Sequence, residues 1–325
     1  MGRFCVIVND YATLKPSQST AELAAAIVGR GHQVWIAEAS SASVFPDGSV
    51  HLAGVQLMES SVEASVARAQ TVSPEPLPLS SMDITLVRTS PGRAADPAVH
   101  ALLLDALDIH CARGGTVLSS PAGLRRAATK LYLAHLPEWT RPQTLVTQSE
   151  AALLAFVHER GRAVLKPLIG TQGRDVFLVE TGDANLRAIA ANLLRQGPTI
   201  AQSYVEQAPD GDVRLLLLDG ECVEHNGEVA AVRRRPGAGE FRSNVHLGGT
   251  PIRANVGEDL KAIVREVGPI LRADGLFMVG LDIVGDKIVE VNVFAPGGFQ
   301  DAMRLAGVDF LSAVLDRLDG HICSR

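Results

Sequence analysis

Three oxygen-bearing side chains lie close together near the C-terminal end of the chain, on two apolar stretches joined by a short turn. They are Asp282, Glu290 and Asn292. The stretches consist mainly of Val, Ile and Leu and flank a Gly-Asp pair, a pattern that predicts a β-hairpin. A three-residue loop would put Asp282 directly opposite Glu290. The period of two along a strand puts Glu290 and Asn292 on one face.

The chemistry that this hairpin favours is binding of a hard divalent cation. Carboxylates on an apolar hairpin are costly to bury without a partner. Mg²⁺ usually takes one or two protein carboxylates and keeps water and substrate phosphates as its other ligands. We therefore interpret Asp282, Glu290 and Asn292 as magnesium ligands. A surface hairpin with a solvated acidic face is the alternative.

A lysine that precedes a glycine-containing loop forms a second pattern. Lys166 lies in the predicted strand Ala163–Leu168, and Gly170 and Gly173 follow it. Glycines let backbone N–H groups approach phosphate oxygens, and lysine supplies a point charge. The P-loop pattern GxxxxGK[ST] is absent and no helix follows directly, so phosphate binding here would use another geometry. A plain hairpin turn is the alternative.

Several arginines and one asparagine could bind phosphate or carboxylate groups through forked hydrogen bonds. These residues are Arg214, Arg234, Arg242 and Asn244. The last three fall in the stretch 233–255, which is rich in Gly and Arg and whose length indicates a functional loop rather than a spacer. A basic loop without a ligand is the alternative. Lys130, on a helix predicted at Ala122–Leu133, would by itself be read as a solvated lysine.

The elements that must position these residues begin with a βαβ unit. Strands are predicted at Phe4–Asn9 and Gln33–Glu38, with an Ala-rich helix at Ser19–Arg30 between them. Another strand follows at Ile84–Thr89, and the Pro-rich piece Val72–Leu79 is predicted to be a loop. This alternation of strand and helix implies an open, mostly parallel sheet in the first part of the chain.

The composition of the chain excludes several classes of function. The chain has 325 residues, a net charge of −6 and a pI near 5.9, which argues against broad binding to nucleic acids or anionic membranes. Neither an 18-residue apolar run nor a signal-peptide pattern occurs, so we expect no membrane segment. The four cysteines form no CxxC pair, which makes a disulfide framework or a zinc site a poor fit and predicts a reducing cytoplasm.

In order and spacing, these segments resemble the ATP-grasp ligases, and in particular the bacterial glutathione synthetases. The resemblance is carried by Lys130 and by the segments 165–173, 201–204, 212–214, 242–249 and 279–292. It extends from the first strand to the C-terminal hairpin and so covers nearly the whole chain. One departure follows the metal-binding hairpin, where the chain reads Phe294-Ala-Pro-Gly-Gly and glutathione synthetases usually read Thr-Ser-Pro-Thr.

The resemblance implies an α/β fold of the ATP-grasp (α+β) type with three lobes. An N-terminal lobe with an open parallel sheet, residues 1–121, would lie on the substrate side. A small central lid lobe, residues 122–200, would cover ATP. A C-terminal lobe with an antiparallel sheet, residues 201–325, would bind ATP and Mg²⁺.

The resemblance also implies a role for each candidate residue. ATP would be bound by Lys130, Lys166, Gly170, Thr171, Gln172, Gly173, Gln202, Tyr204, Val205 and Asp212. Within this set the backbone of Tyr204 and Val205 would meet adenine, and Asp212 would lie near the ribose. Two Mg²⁺ ions, with Mn²⁺ as an alternative ion, would be held by Asp282, Glu290 and Asn292.

The remaining residues belong to the substrate side of the implied site. Catalytic roles at the acyl phosphate would fall to Arg214, Arg234, Arg242 and Asn244. The substrates would meet Arg88, Gly248, Gly249, Pro296 and Gly297. The family also implies a homo-oligomer, a dimer or a tetramer, with small carboxylate and amine substrates as its partners, and neither nucleic acid nor membrane.

The implied reaction is ATP-dependent ligation of a carboxylate to an amine through an acyl phosphate, with glutathione formed from γ-glutamylcysteine and glycine. One alternative is an ATP-grasp ligase that joins other amino acids or peptides, as in natural-product pathways or in glutamate addition to a protein tail. An alternative from another class is an ATP-binding regulatory protein without turnover. A dinucleotide oxidoreductase fits poorly, because no GxGxxG follows the first strand.

Overall fold

The computed structural model describes residues 1–93, 96–169, 175–237 and 249–323. Its strands are arranged mainly in an N-terminal, a central and a C-terminal sheet. The elements of the N-terminal part are β1 (Arg3–Val8), α1 (Ser19–Gly29), β2 (Gln33–Glu38), β3 (Ser43–Val44), β4 (Val50–Leu57), α2 (Val62–Thr71), β5 (Glu75–Pro78), β6 (Ile84–Val87), α3 (Pro97–Ala112) and β7 (Val117–Leu118).

The N-terminal sheet has the strand order β3-β4-β2-β1-β6-β7, with β5 paired to β4. The four strands β2, β1, β6 and β7 run parallel, as the βαβ pattern predicts, because each crossover contains a helix or a long connection. Strands β3, β4 and β5 add an antiparallel edge that the sequence pattern did not predict. From Phe4 onward β1 is fully buried, which makes it the centre of this part of the core.

The Pro-rich piece at Val72–Leu79 was predicted to be a loop, and this prediction is wrong because the piece contains β5. Proline lacks the backbone N–H that an inner strand must donate, so it is confined to sheet edges. Strand β5 pairs with β4 on one side alone, and Pro76 and Pro78 therefore cause no loss in the ladder.

The central part is an antiparallel sheet, in the order β10-β9-β11-β8, with helices on one face. Its elements are α4 (Pro121–Arg126), β8 (Thr144–Thr147), α5 (Glu150–Arg160), β9 (Arg162–Pro167), β10 (Phe177–Glu180), α6 (Leu186–Gln196) and β11 (Thr199–Ser203). Leu165 and Ala201 pack against Leu153, Val157 and Leu193 of the two long helices. Because side chains alternate along a strand, residues 164 and 166 of β9 and 200 and 202 of β11 point away from those helices.

The helix predicted at Ala122–Leu133 is interrupted in the structure. Ser120 caps α4, which ends at Arg126, and a separate 3₁₀ segment runs over Lys130–His135. Tyr132 is buried there and donates to Asp274 Oδ2 at 2.7 Å. The turn of the chain at Ala127–Thr129 allows this distant contact, because a continuous helix would point the Tyr132 side chain in another direction. Lys130 consequently begins the 3₁₀ segment, which packs against the C-terminal hairpin.

The C-terminal sheet is antiparallel, in the order β17-β16-β12-β18-β19, with β13 paired to β12. The elements of this part are β12 (Asp212–Leu218), β13 (Glu221–Cys222), β14 (Glu224–His225), β15 (Glu228–Val229), β16 (Ala231–Arg235), β17 (Thr250–Arg253), α7 (Glu258–Ala273), β18 (Met278–Val284), β19 (Lys287–Asn292), α8 (Phe299–Ala306) and α9 (Phe310–Cys323). One face packs on the strongly amphipathic α7 through Leu215, Leu281 and Ile263.

The C-terminal hairpin differs from the prediction in its turn. The loop has two residues, Gly285 and Asp286, rather than three, because Val284 pairs with Lys287. A bulge between Asp282 and Ile283 supplies the extra residue, so that Asp282 still faces Glu290. Gly285 adopts φ 57°, a conformation that glycine tolerates without strain.

Within the described ranges, the helices are too short or too polar to cross a lipid bilayer.

Candidate nucleotide and metal site

The predicted metal ligands lie on one face of the C-terminal sheet. Asp282 pairs with Glu290, and Gly280 pairs with Asn292, so the three polar side chains project from adjacent strands on the same side. The Asn292 amide donates weakly to Asp282 Oδ2, at 3.4 Å, and to the Gly280 carbonyl, at 3.3 Å. The predicted pairing of Asp282 with Glu290 is confirmed.

Two arginines of the same sheet bind Asp282, one from the adjacent strand β12 and one from β16, the strand beyond it. Arg214, directly across from Asp282 on β12, grips both carboxylate oxygens, with Nη2 2.9 Å from Oδ2. Arg234 on β16 lies 2.9 Å from Asp282 Oδ2 and also grips both oxygens of Asp212, with Nε 2.8 Å from Oδ1. The four buried side chains therefore form a chain of alternating charge, in the order Asp212, Arg234, Asp282, Arg214.

The charges of this cluster shift the pKa values of its members. Burial alone would raise the pKa of Asp282, but the neighbouring Arg214 and Arg234 outweigh it and hold this pKa well below its usual range. Burial and the nearby Asp282 charge raise the pKa of Asp212, against the opposing effect of Arg234. For Arg234, burial would lower the pKa, yet the two carboxylates raise it. Asp282 is thus kept ionised, as a metal ligand must be.

The donor set fits a hard cation such as Mg²⁺. Asp282 Oδ1 accepts a single described hydrogen bond, from Arg214 Nε, and so keeps lone-pair capacity, as do Glu290 and the amide oxygen of Asn292. In the described part of the chain, no cluster of three or more His, Cys, Asp or Glu side chains has metal-binding geometry. The candidate ligand set therefore has two carboxylates, Asp282 and Glu290, and one amide, Asn292. Such a set suits Mg²⁺, which takes its other ligands from water and phosphate.

Two lysines approach this hairpin from the central part of the chain. Lys166 is buried on the helix-free face of the central sheet and donates to the Val289 carbonyl at 3.3 Å. Burial lowers the pKa of Lys166 to about 8, and Glu290 acts in the opposite direction. Burial likewise lowers the pKa of the half-buried Lys130, again opposed by Glu290. The two ammonium groups consequently lie near Glu290, one of the predicted metal ligands.

The same face of the central sheet carries Gln202, whose amide nitrogen is buried and has no hydrogen-bond partner among the described residues. An unpaired buried amide is costly, and a bound acceptor would remove that cost. Just beyond β11, the Tyr204 N–H is taken by the Arg162 carbonyl and the Val205 carbonyl is taken by Ala208. Among the described backbone pairs this leaves an acceptor at Tyr204 O and a donor at Val205 N.

Arg88 lies at the N-terminal side of the site and is almost fully buried. Its guanidinium donates to Thr20 Oγ1 at 3.2 Å, to Met278 Sδ at 3.0 Å and to the Pro296 carbonyl at 3.1 Å. None of these three partners is charged, and burial lowers the pKa of Arg88 to about 10. A buried cation held by neutral groups is suited to receive an anionic ligand.

The segment after the hairpin connects the two arginines of the site. Arg88 binds the carbonyl of Pro296, and Arg214 Nη1 binds the carbonyl of Gly297 at 3.1 Å. Gly298 adopts φ 117°, and a Cβ there would lie 3.3 Å from Arg214 Cγ. Gly249 is buried immediately before β17. The predicted site residues Gly170, Thr171, Gln172, Gly173, Arg242, Asn244 and Gly248 lie outside the described residues.

Several residues that shape the site were missed from the sequence. Arg162 stacks over the Tyr204 ring at 4.1 Å and pairs with Glu206, which fixes the segment after β11. The buried Thr89 and His100 are 2.8 Å apart, and Phe294 packs edge-on against the His100 ring. Their types are ordinary for a core, so no pattern in the sequence distinguishes them.

Comparison with known families assigns both halves of the chain. A model of the prokaryotic glutathione synthetase ATP-grasp domain matches residues 129–307. A model of the prokaryotic glutathione synthetase N-terminal domain matches residues 3–125. The glutathione synthetase of Gloeobacter violaceus is 34% identical over 318 residues, which covers 96% of this chain and 95% of the relative. That of Escherichia coli strain K12 is 33% identical over 253 residues, 77% of each chain.

Solved structures share the fold over nearly the whole chain. D-cycloserine synthetase DcsG has a TM-score of 0.64 at 18% identity, covering 97% of this chain and 99% of its own. The ATP-grasp ligase PsnB, in a complex that contains a precursor variant, Mg and ADP, has a TM-score of 0.63 at 19% identity, covering 98% of each chain. At these identities the likeness concerns the fold, and the predicted α/β ATP-grasp class is confirmed.

Proposed function

The chain belongs to the prokaryotic glutathione synthetase family and is an ATP-dependent carbon–nitrogen ligase of that type, and we propose that it joins γ-glutamylcysteine to glycine. The observation that carries this proposal is the approach of a lysine of the central sheet to the acidic face of the C-terminal sheet. Lys166 donates to the Val289 carbonyl and lies close enough to Glu290 and Asp282 for both charges to act on its pKa. Phosphates and a cation are the groups that such a pair of surfaces would hold.

The nucleotide would lie along the helix-free face of the central sheet. The adenine edge needs one acceptor and one donor, which Tyr204 O and Val205 N supply, and Gln202 Nε2 would gain an acceptor from the base. Lys130 and Lys166 would offset the charge of the phosphates. Their lowered pKa values support this role. Burial disfavours the protonated form of each lysine, and a bound phosphate would stabilise that form again.

Asp282, Glu290 and Asn292 would hold Mg²⁺, and we propose two ions, with Mn²⁺ able to replace them. A bound ion would supply charge stabilisation to the phosphoryl group in transfer. Arg214 and Arg234 keep Asp282 ionised and hold its carboxylate in place. The Glu290 carboxylate would offset part of the positive charge of the two lysines and the ion.

The reaction would begin with in-line attack of the substrate carboxylate on the γ-phosphate, which forms an acyl phosphate and ADP. Arg234 would stabilise the negative charge of the transferred group, and Arg88 would orient a substrate carboxylate through a charge-assisted hydrogen bond. The amine then attacks the acyl carbon and displaces phosphate, which forms the amide. Water must be excluded in the meantime, because it would hydrolyse the acyl phosphate.

The segment 294–298 favours a second candidate function, the ligation of a carboxylate and an amine other than γ-glutamylcysteine and glycine. It reads Phe-Ala-Pro-Gly-Gly and so presents carbonyl groups, but no side-chain hydroxyl, between Arg88 and Arg214. A ligase for another carboxylate and amine would keep the same nucleotide and metal residues and differ here.

Three further features are part of the proposal. The free cysteines and the use of ATP support a cytoplasmic enzyme. Closed oligomers are the common state of such enzymes, which supports a dimer or a tetramer. Lobe boundaries at residues 121 and 200 remain part of the proposal. The two family models meet nearby, between residues 125 and 129, and the last strand of the central sheet, β11, extends to Ser203, three residues beyond the second boundary.

The test is phosphate release from the purified protein with ATP, Mg²⁺, γ-glutamylcysteine and glycine, each omitted in turn. Release that requires both substrates, with glutathione identified by mass, is expected. Release with another amine or carboxylate, but not with this pair, would reject glutathione as the product and support the second candidate. Absence of nucleotide binding would contradict the assigned site.

A further inference from the structure

We infer that Asp274 is a positioning residue that fixes Lys130 for its contact with the nucleotide phosphates. Asp274 lies in the turn between α7 and β18, far from Lys130 in the sequence. This role rests on the proposed function, because it takes Lys130 as a phosphate contact. Lys130 begins a 3₁₀ segment, which is not held by the hydrogen-bond ladder of an α-helix or a sheet, so its position must be fixed by other contacts.

One carboxylate holds the chain on both sides of Lys130. Asp274 Oδ2 accepts a hydrogen bond from the Tyr132 hydroxyl at 2.7 Å, and Asp274 Oδ1 pairs with Nη1 of Arg126. Arg126 lies four residues before Lys130, and Tyr132 lies two residues after it. The segment between them is therefore a short loop whose two ends meet at the same side chain, which restricts the conformations that it can adopt.

The contact with Tyr132 is the better protected of the two. Tyr132 is 2% exposed, whereas the Arg126 side chain is 54% exposed, so water screens its ion pair with Asp274. Burial and the hydrogen bond to Asp274 raise the pKa of Tyr132 far above its usual value. The hydroxyl consequently keeps its proton and remains the donor. Loss of this hydroxyl would leave the segment attached to Asp274 through the exposed arginine.

The backbone at Asp274 is itself anchored to the start of α4. The Ser120 hydroxyl donates to the Asp274 carbonyl at 3.1 Å, and the Ser120 N–H donates to the Gly275 carbonyl at 2.8 Å. A Cβ at Gly123 would overlap the Asp274 carbonyl oxygen, so glycine is required for this close approach. The carboxylate therefore extends from a fixed point of the fold, as a positioning residue requires.

The 3₁₀ segment connects this clamp to the site. The segment Lys130–His135 packs against β19, the strand that carries Glu290. Burial lowers the pKa of Lys130 and the charge of Glu290 opposes this effect, so the two side chains are within electrostatic reach of each other. A displacement of the segment would move the ammonium group relative to Glu290 and to any phosphate bound beside it.

The first test measures binding of ATP with Mg²⁺ to the wild type, Tyr132→Phe and Tyr11→Phe by titration calorimetry. Tyr132→Phe removes the hydroxyl alone, and we expect the Kd of ATP to rise by about 3–10-fold, the range that one hydrogen bond can supply. Tyr11→Phe is the matched control, because its hydroxyl donates to the carbonyls of Ile36 and Ala53 in the N-terminal sheet. An unchanged Kd in Tyr132→Phe, or an equal rise in both variants, would overturn the inference.

A double-mutant cycle with Lys130→Met distinguishes positioning of this lysine from a general structural role. The Kd of the double variant Lys130→Met/Tyr132→Phe should match that of Lys130→Met within about 2-fold, because a lost hydroxyl cannot misplace a lysine that is absent. A rise by the same factor in both backgrounds would show that Tyr132 acts without Lys130, which contradicts the inference.

Asp274→Ala tests the acceptor of the same hydrogen bond. It should raise the Kd of ATP at least as much as Tyr132→Phe does, and combining the two changes should have no further effect, since the hydroxyl has already lost its acceptor. Wild-type affinity in Asp274→Ala would show that Lys130 is positioned by other contacts.

Nucleotide affinity does not depend on the identity of the two substrates. A wild type that binds ATP but releases no phosphate with γ-glutamylcysteine and glycine would reject that substrate pair, and the affinities of the variants would still decide the role of Asp274. Normal turnover in the wild type together with unchanged ATP affinity in Tyr132→Phe would reject the role of Asp274 alone.

Discussion

The ammonium of Lys166 lies 3.3 Å from the carbonyl oxygen of Val289, so a residue of the central sheet is hydrogen-bonded to the strand that carries Glu290. This contact holds the charged end of Lys166 where the central sheet meets the C-terminal hairpin. Burial there lowers its pKa to about 8, which brings the titration of this lysine near the physiological range.

ATP affinity should therefore fall as the pH rises above about 8, the pKa of Lys166 in the free protein. Bound phosphates favour the charged lysine and raise its pKa, so the complex holds more protons than the free protein in that range. Calorimetry in buffers of different ionisation enthalpy should show proton uptake on binding above this pH and little below it. Lys166→Arg, which stays charged, should reduce the uptake, and a remainder would come from Lys130, whose pKa is also lowered by burial. A pH-independent affinity in the wild type would contradict the assignment.

Replacing Arg88 by methionine should separate stability from substrate binding. Among the described residues, the partners of the buried guanidinium are all neutral. Its removal should therefore leave the free energy of unfolding unchanged or raise it by about 1 kcal/mol. The KM of the carboxylate substrate should rise by about 30-fold or more, since loss of a buried charge pair costs about 2 kcal/mol or more. Urea unfolding and steady-state kinetics measure the two effects.

The matched control for Arg88 is Arg265→Met, because Arg265 is exposed on α7 and pairs with Glu258 at the surface. Its variant should change stability by no more than about 0.5 kcal/mol and leave KM unchanged. If Arg88→Met strongly destabilised the fold while KM stayed the same, the side chain would serve structure rather than substrate.

Glu290→Gln should raise the Mg²⁺ concentration needed for half-maximal nucleotide binding by about 10–100-fold. The change removes a carboxylate ligand and also the negative charge that opposes the low pKa values of Lys130 and Lys166. Binding of a non-hydrolysable ATP analogue at several Mg²⁺ concentrations measures the shift. Glu228→Gln is the control, because Glu228 lies on β15, outside the C-terminal sheet, and pairs with Arg253. An equal response of both variants would rule out Glu290 as a ligand.

Two adjacent glycines should respond differently to alanine. At Gly298, with φ 117°, a Cβ is strained and would meet Arg214, so Gly298→Ala should destabilise the fold by about 1–2 kcal/mol and lower activity. At Gly297 the backbone lies outside the left-handed region and a Cβ would meet nothing within 4 Å, so Gly297→Ala should be neutral or stabilising by up to about 1 kcal/mol. Denaturant unfolding of both variants is the measurement, and equal losses would contradict this account.

Much of the fold could be predicted because its signals are local. Strand β2 was predicted with the observed ends, and α1 to within one residue, since an apolar period of two or 3.6 is set by neighbouring side chains. Strand β5 and the break after Arg126 could not be predicted in this way. The first depends on its position at a sheet edge, and the second on the contact of Tyr132 with Asp274, 142 residues further along the chain.

The sequence by itself determined which chemical groups the proposed site contains: Lys166 before a glycine loop, and the oxygen-bearing side chains Asp282, Glu290 and Asn292 on one hairpin. Tertiary structure decided how these groups are paired and charged. Arg214 and Asp282 are 68 residues apart, and their ion pair exists only because β12 and β18 are neighbours in register. The lowered pKa values of Lys166 and Arg88 likewise depend on burial, which many distant segments produce together. Residue type and period are properties of adjacent positions, whereas partner choice and desolvation are properties of the packed chain.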